Sequence, residues 1–377
     1  MLKNNHPTAI LPGQTIGIIG GGQLGRMMAI AARYNGYRIV VLDPTPNCPT
    51  AHVSDEQIVA PYDDMDAIRE LTEKSDVVTH EFENVDLEAA TYIEKAGKLP
   101  QGAYPLKVTQ NREIEKTFLA DMGLPVAPFE IVNSKEECEE VLKDAPLPAV
   151  IKTCRGGYDG KGQYKIESEA DFAGAIDFMD PNETYIIEQW IPFDKEISVV
   201  FSCTADGNIK IFPVAENDHK NHVLSETTAP ANISESVYNK AIVAARTIAD
   251  AMLLVGTFAI ELFVVQDGIF INEMAPRPHN SGHYTIEACN ISQFKQHIRG
   301  ICGLPLTDIK LHNKAKMINV LGEDVNKATH ALETLPEAFV HLYGKADVKE
   351  MRKMGHVTFV ADSFEKLDDL KTTYESK

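Results

Sequence analysis

Lys152 closes a short apolar strand and is followed at once by Gly156, Gly157, Tyr158, Asp159, Gly160, Lys161, Gly162 and Gln163. Glycine lets backbone N–H groups close on an anion with no Cβ in the way, and each lysine adds a point charge. The spacing is not G-x-x-x-x-G-K-[ST], so the segment is not a P-loop. A glycine loop beside a strand lysine is the form of a lid over nucleotide phosphates; a glycine-rich hairpin tip is the plainer alternative. Further along, Glu261 interrupts the apolar run 258–264, and Glu273 ends a second run, 269–273. The turn at 266–268 predicts a hairpin that sets the two carboxylates side by side on one face. Paired carboxylates in apolar surroundings are costly unless a cation neutralises them, and Mg²⁺ takes carboxylate oxygens together with phosphates. Edge-strand acids facing water would be the alternative.

Directly after Glu273 come Arg277, His279, Asn280 and Ser281, stiffened by Pro276 and Pro278. Arginine suits a two-pronged grip on a small oxyanion, although a polar surface turn has the same composition. Glu188, Gln189, Trp190 and Ile191 leave a strand near 184–188 and lead to Glu196. Such a connection can offer backbone groups to an adenine edge and a carboxylate to ribose hydroxyls, or be an ordinary hinge with Trp190 in the core. His219 lies in a polar loop where solvation is the default. Lys345, Arg352 and Lys353 place three cations late in a very acidic chain and are candidates for a phosphate grip. Gly20, Gly22 and Gly25 after a strand, with Asp43 ending the next strand, match the dinucleotide fingerprint in form. The helix start there suits an anion of any kind, a ribonucleotide phosphate included.

These groups need a frame. Residues 15–19, 38–42 and 76–79 read as strands alternating with helices, one of them over 26–34, which predicts a parallel sheet. A break at 99–105 precedes a helix over 112–122 capped by Asn111. Strands are expected near 184–188, 197–202, 210–213, 257–265 and 269–273, with a helix over 236–253. A closing β unit follows, at 315–321, 341–343 and 355–361. The expected division is a Rossmann-like domain over 1–107, a small lid unit over 108–194, a larger unit over 195–304 and a β-rich unit over 305–377, a mixed α/β and α+β architecture.

The chain has 377 residues, 44% of them hydrophobic and 24% charged, with a formal net charge of −19. Such a surface repels phosphate polymers and anionic membranes, so nucleic acid and membrane are not expected partners. Any phosphate must be held by local cations. The six cysteines form no C-x-x-C pair, and no signal-peptide pattern opens the chain, which reads as a cytoplasmic protein with reduced thiols.

Taken together these motifs resemble the ATP-grasp superfamily. Within it they resemble the 5-(carboxyamino)imidazole ribonucleotide synthase family, on Gly21 to Arg26, Glu81 to Glu83, Gly156 to Gln163, Asn272 to His283 and Lys353 to His356. Lys161 stands where some members carry arginine. The resemblance implies an ATP-grasp fold and ATP-dependent carboxylation of 5-aminoimidazole ribonucleotide by bicarbonate, in purine biosynthesis. It implies ATP contacts from Arg112, Lys152, the loop Gly157 to Gln163, Glu188 to Ile191, Glu196, His219 and Asn272, and Mg²⁺, as two ions, on Glu261 and Glu273. Tyr158, Asp159, Lys161, His279, Asn280 and Ser281 are implied around the aminoimidazole and bicarbonate. Gln23, Leu24, Glu81, Lys345 and Arg352 are implied on the ribonucleotide, Arg277 on bicarbonate and Asp159 in proton handling. A homodimer is the implied assembly. Other ATP-grasp enzymes, such as glycinamide ribonucleotide transformylase or biotin carboxylase, are the nearest rivals. An NAD-dependent dehydrogenase or a silent nucleotide-binding scaffold would come from other classes.

Overall fold

The computed structural model describes residues 9–156 and 162–376. Three sheets carry the described residues. The first is parallel, with strands β1 (Thr15–Ile19), β2 (Arg38–Leu42), β3 (Glu56–Ile58) and β4 (Val77–His80) in the order β3-β2-β1-β4. Its strands are nearly continuous apolar runs, as burial between helices on both faces requires. The helix expected over 26–34 begins earlier, at Gln23. The reason is tertiary: the Glu81 carboxylate, just past β4, accepts hydrogen bonds from the amides of Gly22 and Gly25. Gly25 could carry no side chain, because a Cβ there would lie 2.7 Å from the Gly20 carbonyl oxygen.

The second sheet holds β5 (Phe129–Val132), β6 (Ala149–Thr153), β7 (Gln163–Ile166) and β8 (Tyr185–Gln189) in the order β5-β8-β6-β7, all antiparallel. The helix Arg112–Asp121 precedes it, capped by the Asn111 side chain as its sequence predicts, and Gly123 follows with φ +69°.

The third sheet has nine strands: β9 (Lys195–Cys203), β10 (Ile209–Ile211), β11 (Ala215–Lys220), β12 (Val223–Ala229), β13 (Gly256–Val265), β14 (Gly268–Ala275), β15 (Lys314–Leu321), β16 (Phe339–Leu342) and β17 (Lys353–Ala361). The order is β14-β13-β9-β11-β12-β15-β17-β16, with β10 on β9. The late β unit is thus not a separate sheet: β15 pairs with β12, so the C-terminal strands extend the central sheet. The β11–β12 hairpin has no counterpart in the expected elements. Its first strand, Ala215–Lys220, is mostly polar, and its tip uses Asn221 and His222 at positive φ, the backbone twist that two-residue hairpin turns require.

The helix Glu235–Met252 packs on β9, β13 and β14 over the largest apolar cluster, with Phe201, Ile260, Leu262 and Ile271 at its centre. Each such burial is worth roughly 2–3 kcal/mol. The parallel sheet meets this body through the helix Gln293–Ile301, whose Phe294, Ile298 and Ile301 join Ile16, Met28 and Ile39 in one cluster. All six cysteines are buried and free. Among the described residues no helix is long and apolar enough to cross a membrane.

Candidate functional site

A cleft of about 1060 Å³ opens where the three sheets converge. Its acidic wall is the β13–β14 hairpin. Glu261 and Glu273 are direct register partners, as the hairpin turn predicts, and the register shifts by one residue just after Glu261. That bulge leaves Asn272 as the extra residue, so consecutive residues Asn272 and Glu273 both line the cleft where a regular strand would turn them to opposite faces. Burial, then repulsion from Glu273, pushes the Glu261 carboxyl up to about 7. His279 Nε2 lies 3.3 Å from a Glu261 oxygen, and Arg112 reaches Glu273 at 3.4 Å. Among the described residues no set of three or more acids, histidines or cysteines is arranged to hold a metal.

The opposite wall is basic and comes from the second sheet and the helix before it. Glu188 sits between two lysines: Lys152 at 2.5 Å and Lys116 at 3.2 Å. Lys116 is 1% exposed and also donates to the Ile271 carbonyl, which ties the helix to β14. Burial alone would raise the Glu188 carboxyl, but the two lysines win and hold it at about 2. Lys152 is lowered, chiefly by burial. Lys116 was not among the residues singled out from sequence, since a lysine on an amphipathic helix looks like any solvated charge. Glu115 was missed for the same reason; it accepts from the Met274 amide at 2.6 Å, and burial raises it to about 8.

At the connection after β8, Gln189, Trp190 and Ile191 all line the cleft. The Gln189 and Trp190 amides already donate to the carbonyls of Pro128 and Pro148. Trp190 is half-buried, with Lys165 Nζ over its ring at 4.5 Å, so it belongs to the rim and not to the core. Glu196 and His219 pair side by side, and the pairing raises the imidazole against the pull of burial.

The loop after β14 brings Arg277, His279 and Asn280 into the cleft. Arg277 Nε is held by Glu83 at 2.7 Å; Glu83 falls to about 2 because the guanidinium outweighs the cost of burial. His279 Nδ1 accepts from the Ser281 amide, so its proton sits on Nε2, toward Glu261. Ser281 does not line the cleft. It is fully buried, accepts from Ser198 at 2.7 Å and contacts His279 Nδ1 at 2.8 Å, so it supports the imidazole from behind. Both polar atoms of the Asn280 side chain are buried without a partner. Gln293, missed from sequence, clamps the loop: its carboxamide accepts from the His279 amide at 2.8 Å and donates to the His279 carbonyl at 2.6 Å.

Gln23, Leu24 and Glu81 line the far end of the cleft. The helix start read as an anion site is filled by the chain's own anion, since Glu81 takes the Gly22 and Gly25 amides. Asp43 is likewise turned inward, accepting from the Gly21 amide at 2.7 Å and the Tyr62 hydroxyl at 2.6 Å, and so does not present itself to a ribose. Lys353 lines the cleft. Lys345 donates to the Lys353 carbonyl and Arg352 to the Asp347 carbonyl. Gly162 and Gln163 close the glycine loop on β6, Gly162 with φ +70°. Gly157, Tyr158, Asp159, Gly160 and Lys161 lie outside the described residues.

Comparison with known proteins agrees with this fold over most of the chain. Residues 13–110 match the ribonucleotide synthetase preATP-grasp domain, 117–294 the ATP-grasp domain and 315–370 the phosphoribosylaminoimidazole carboxylase C-terminal domain. N5-carboxyaminoimidazole ribonucleotide synthase of Bacillus subtilis is 46% identical over 352 residues, covering 93% of this chain and 92% of its own. The Brucella melitensis enzyme of the same name is 44% identical over 354 residues, covering 93% and 97%. Among solved structures, an ADP complex of N5-carboxyaminoimidazole ribonucleotide synthetase superimposes with a TM-score of 0.94 at 49% identity, covering 98% of both chains. The Aspergillus clavatus enzyme in complex with ADP and 5-aminoimidazole ribonucleotide gives 0.89 at 30% identity, covering 96% of this chain and 98% of its own. The fold is therefore that of a known lineage: the chain belongs to the N5-carboxyaminoimidazole ribonucleotide synthase family of ATP-grasp ligases.

Proposed function

We propose that the chain carboxylates the exocyclic amine of 5-aminoimidazole ribonucleotide with bicarbonate, consuming ATP and releasing ADP and phosphate. The observation that carries this reading is the juxtaposition, in one cleft, of the Glu261–Glu273 pair, the Lys116–Glu188–Lys152 cluster and the Arg277–His279 loop. Bicarbonate is a poor electrophile. Attack of one of its oxygens on the terminal phosphorus of ATP gives carboxyphosphate and ADP. The amine then either attacks the carbonyl carbon and expels phosphate, or adds to CO₂ after carboxyphosphate has broken down to CO₂ and phosphate; on both routes the nitrogen loses a proton.

Arg112, Lys152, Glu188, Gln189, Trp190, Ile191, Glu196, His219 and Asn272 are assigned to the nucleotide, together with Gly157, Tyr158, Asp159, Gly160, Lys161, Gly162 and Gln163 of the glycine loop. Lys116 is added because it shares the Glu188 carboxylate with Lys152. Glu261 and Glu273 are the residues that would hold Mg²⁺. The fit is physical: Glu261 stands raised to about 7 by burial and by Glu273, and a cation between them would remove both penalties. Two protein carboxylates with phosphate oxygens and water are the donors Mg²⁺ prefers. Bound there, the metal supplies charge neutralisation for the triphosphate; two ions are proposed.

Arg277 is assigned to bicarbonate, with Glu83 fixing its guanidinium. His279 stays neutral, lowered to about 3 first by burial and then by Arg277, and acts as an Nε2–H donor. Amine deprotonation is assigned to Asp159 on the family resemblance, and Tyr158, Lys161, Asn280 and Ser281 are assigned to the substrates, Ser281 through His279. Gln23, Leu24, Glu81, Lys345 and Arg352 are assigned to the ribonucleotide. What the protein contributes is positioning and preorganised charge, with water displaced from the cleft as the substrates bind. The working division of the chain is 1–107, 108–194, 195–304 and 305–377, in a cytoplasmic homodimer.

The test is ADP release with bicarbonate present, with and without 5-aminoimidazole ribonucleotide. Strong dependence on the amine, with one carboxylated product per ADP, is expected. Release indifferent to the amine would overturn the assignment.

A further inference from the structure

Behind the Arg277 loop runs a chain of buried side chains whose hydrogen-bond directions follow from one fixed donor. The Thr257 amide must donate, and it points at His297 Nδ1 at 3.0 Å. His297 is fully buried, and burial lowers its imidazole to about 3, so the ring is neutral. Its single proton is therefore on Nε2, which donates to the Thr79 hydroxyl at 2.9 Å. The Thr79 hydroxyl in turn donates to Gln101 Oε1 at 2.6 Å. With its oxygen so identified, the Gln101 carboxamide has Nε2 left to donate to the Pro276 carbonyl and to His80 Nε2, both at 3.2 Å. Gln101 is 2% exposed, although it lies in the Pro- and Gly-containing turn that reads as a break between domains.

The two ends of this relay matter. Pro276 is the residue before Arg277, and His80 lies three residues before Glu83, the partner of Arg277 Nε. One buried amide thus ties the backbone that carries the guanidinium to the end of β4, which leads into the loop that carries its counter-ion. We infer that Gln101 is a positioning residue for the oxyanion-holding arginine, setting where the Arg277 fork stands in the cleft. The inference rests on the assignment of Arg277 to bicarbonate.

The test compares KM for bicarbonate with KM for ATP in full-length variants. Gln101→Met keeps length and apolar packing but loses the acceptor and both donors. It is expected to raise the bicarbonate KM about tenfold and to leave the ATP KM within about twofold, whereas a merely structural role would move both together. Arg277→Lys is the reference and should raise the bicarbonate KM at least as far. Should Gln101→Met fail to fold, Thr79→Val and Thr79→Ser carry the test. Valine, which lacks the hydroxyl, should raise the bicarbonate KM about threefold, and serine, which keeps it, should restore the wild-type value. A bicarbonate KM unchanged in Gln101→Met or Thr79→Val, while Arg277→Lys shifts it, overturns the role of Gln101 alone. Equal shifts in both KM values also overturn it. An unshifted Arg277→Lys removes the assignment of Arg277 and the inference with it.

Discussion

At the basic wall Glu188 lies between the ammonium groups of Lys152 and Lys116; at the far end of the cleft Glu81 lies between the amides of Gly22 and Gly25. Each is a carboxylate held between two donors, yet the two shift in opposite directions. Glu188 is lowered because two full charges outweigh burial, while Glu81 is raised because burial outweighs two amide dipoles. A full counter-charge makes a buried carboxylate an integral part of the fold; partial charges leave it replaceable. The basic wall is therefore built around a permanent anion, and the Gly22–Gly25 turn around a more weakly held one.

The largest expected effect lies at the acidic hairpin between these ends. Glu273→Gln should cut bicarbonate-dependent ADP release by about a thousandfold or more, since charge stabilisation of the transferring group is lost. Steady-state rates at saturating ATP check this, and retained activity would remove the metal assignment. Glu188→Gln should destabilise the fold by about 3–5 kcal/mol at neutral pH, because two buried ammonium groups lose their shared anion. The pH dependence has a definite sign. Glu188 is depressed from 4.5 to about 2, so its contribution is full above 4.5 and is lost as pH falls toward 2. Urea titrations across that window should show the wild type losing its advantage over the variant; a constant difference would contradict the pairing.

Glu81→Gln should cost less, about 1–2 kcal/mol, since one amide acceptor survives. For a raised carboxyl the sign reverses: stability is full below the ordinary value and falls as pH rises through the raised one, so the variant should close on the wild type at higher pH. The smallest effect is expected for Arg352→Ala, a rise of about tenfold in the ribonucleotide KM, near 1.4 kcal/mol. An unchanged KM there would count against a phosphate role at this half-exposed end.

What could be read in the sequence was whatever broke a local pattern. Glu261 inside an apolar strand, the glycines after Lys152 and the prolines around Arg277 each violate a regular period, and all but the undescribed loop residues fall in or against the cleft. What could not be read depends on contacts distant in sequence. Lys116 follows an ordinary helical period and becomes special only against Glu188, 72 positions later. Gln101 looks like linker until Pro276 arrives above it. The pairing of β15 with β12, which makes one sheet of two expected units, leaves no local mark in either strand. The place of Ser281, behind the cleft lining rather than in it, was hidden for a related reason. The turn after His279 points that hydroxyl inward to Ser198.

Oxygen transfer probes the chemistry most directly. With ¹⁸O-labelled bicarbonate, ATP and 5-aminoimidazole ribonucleotide, phosphoryl transfer to bicarbonate should leave one labelled oxygen in each phosphate released. Phosphate formed free of label, with carboxylated product accumulating, would contradict it.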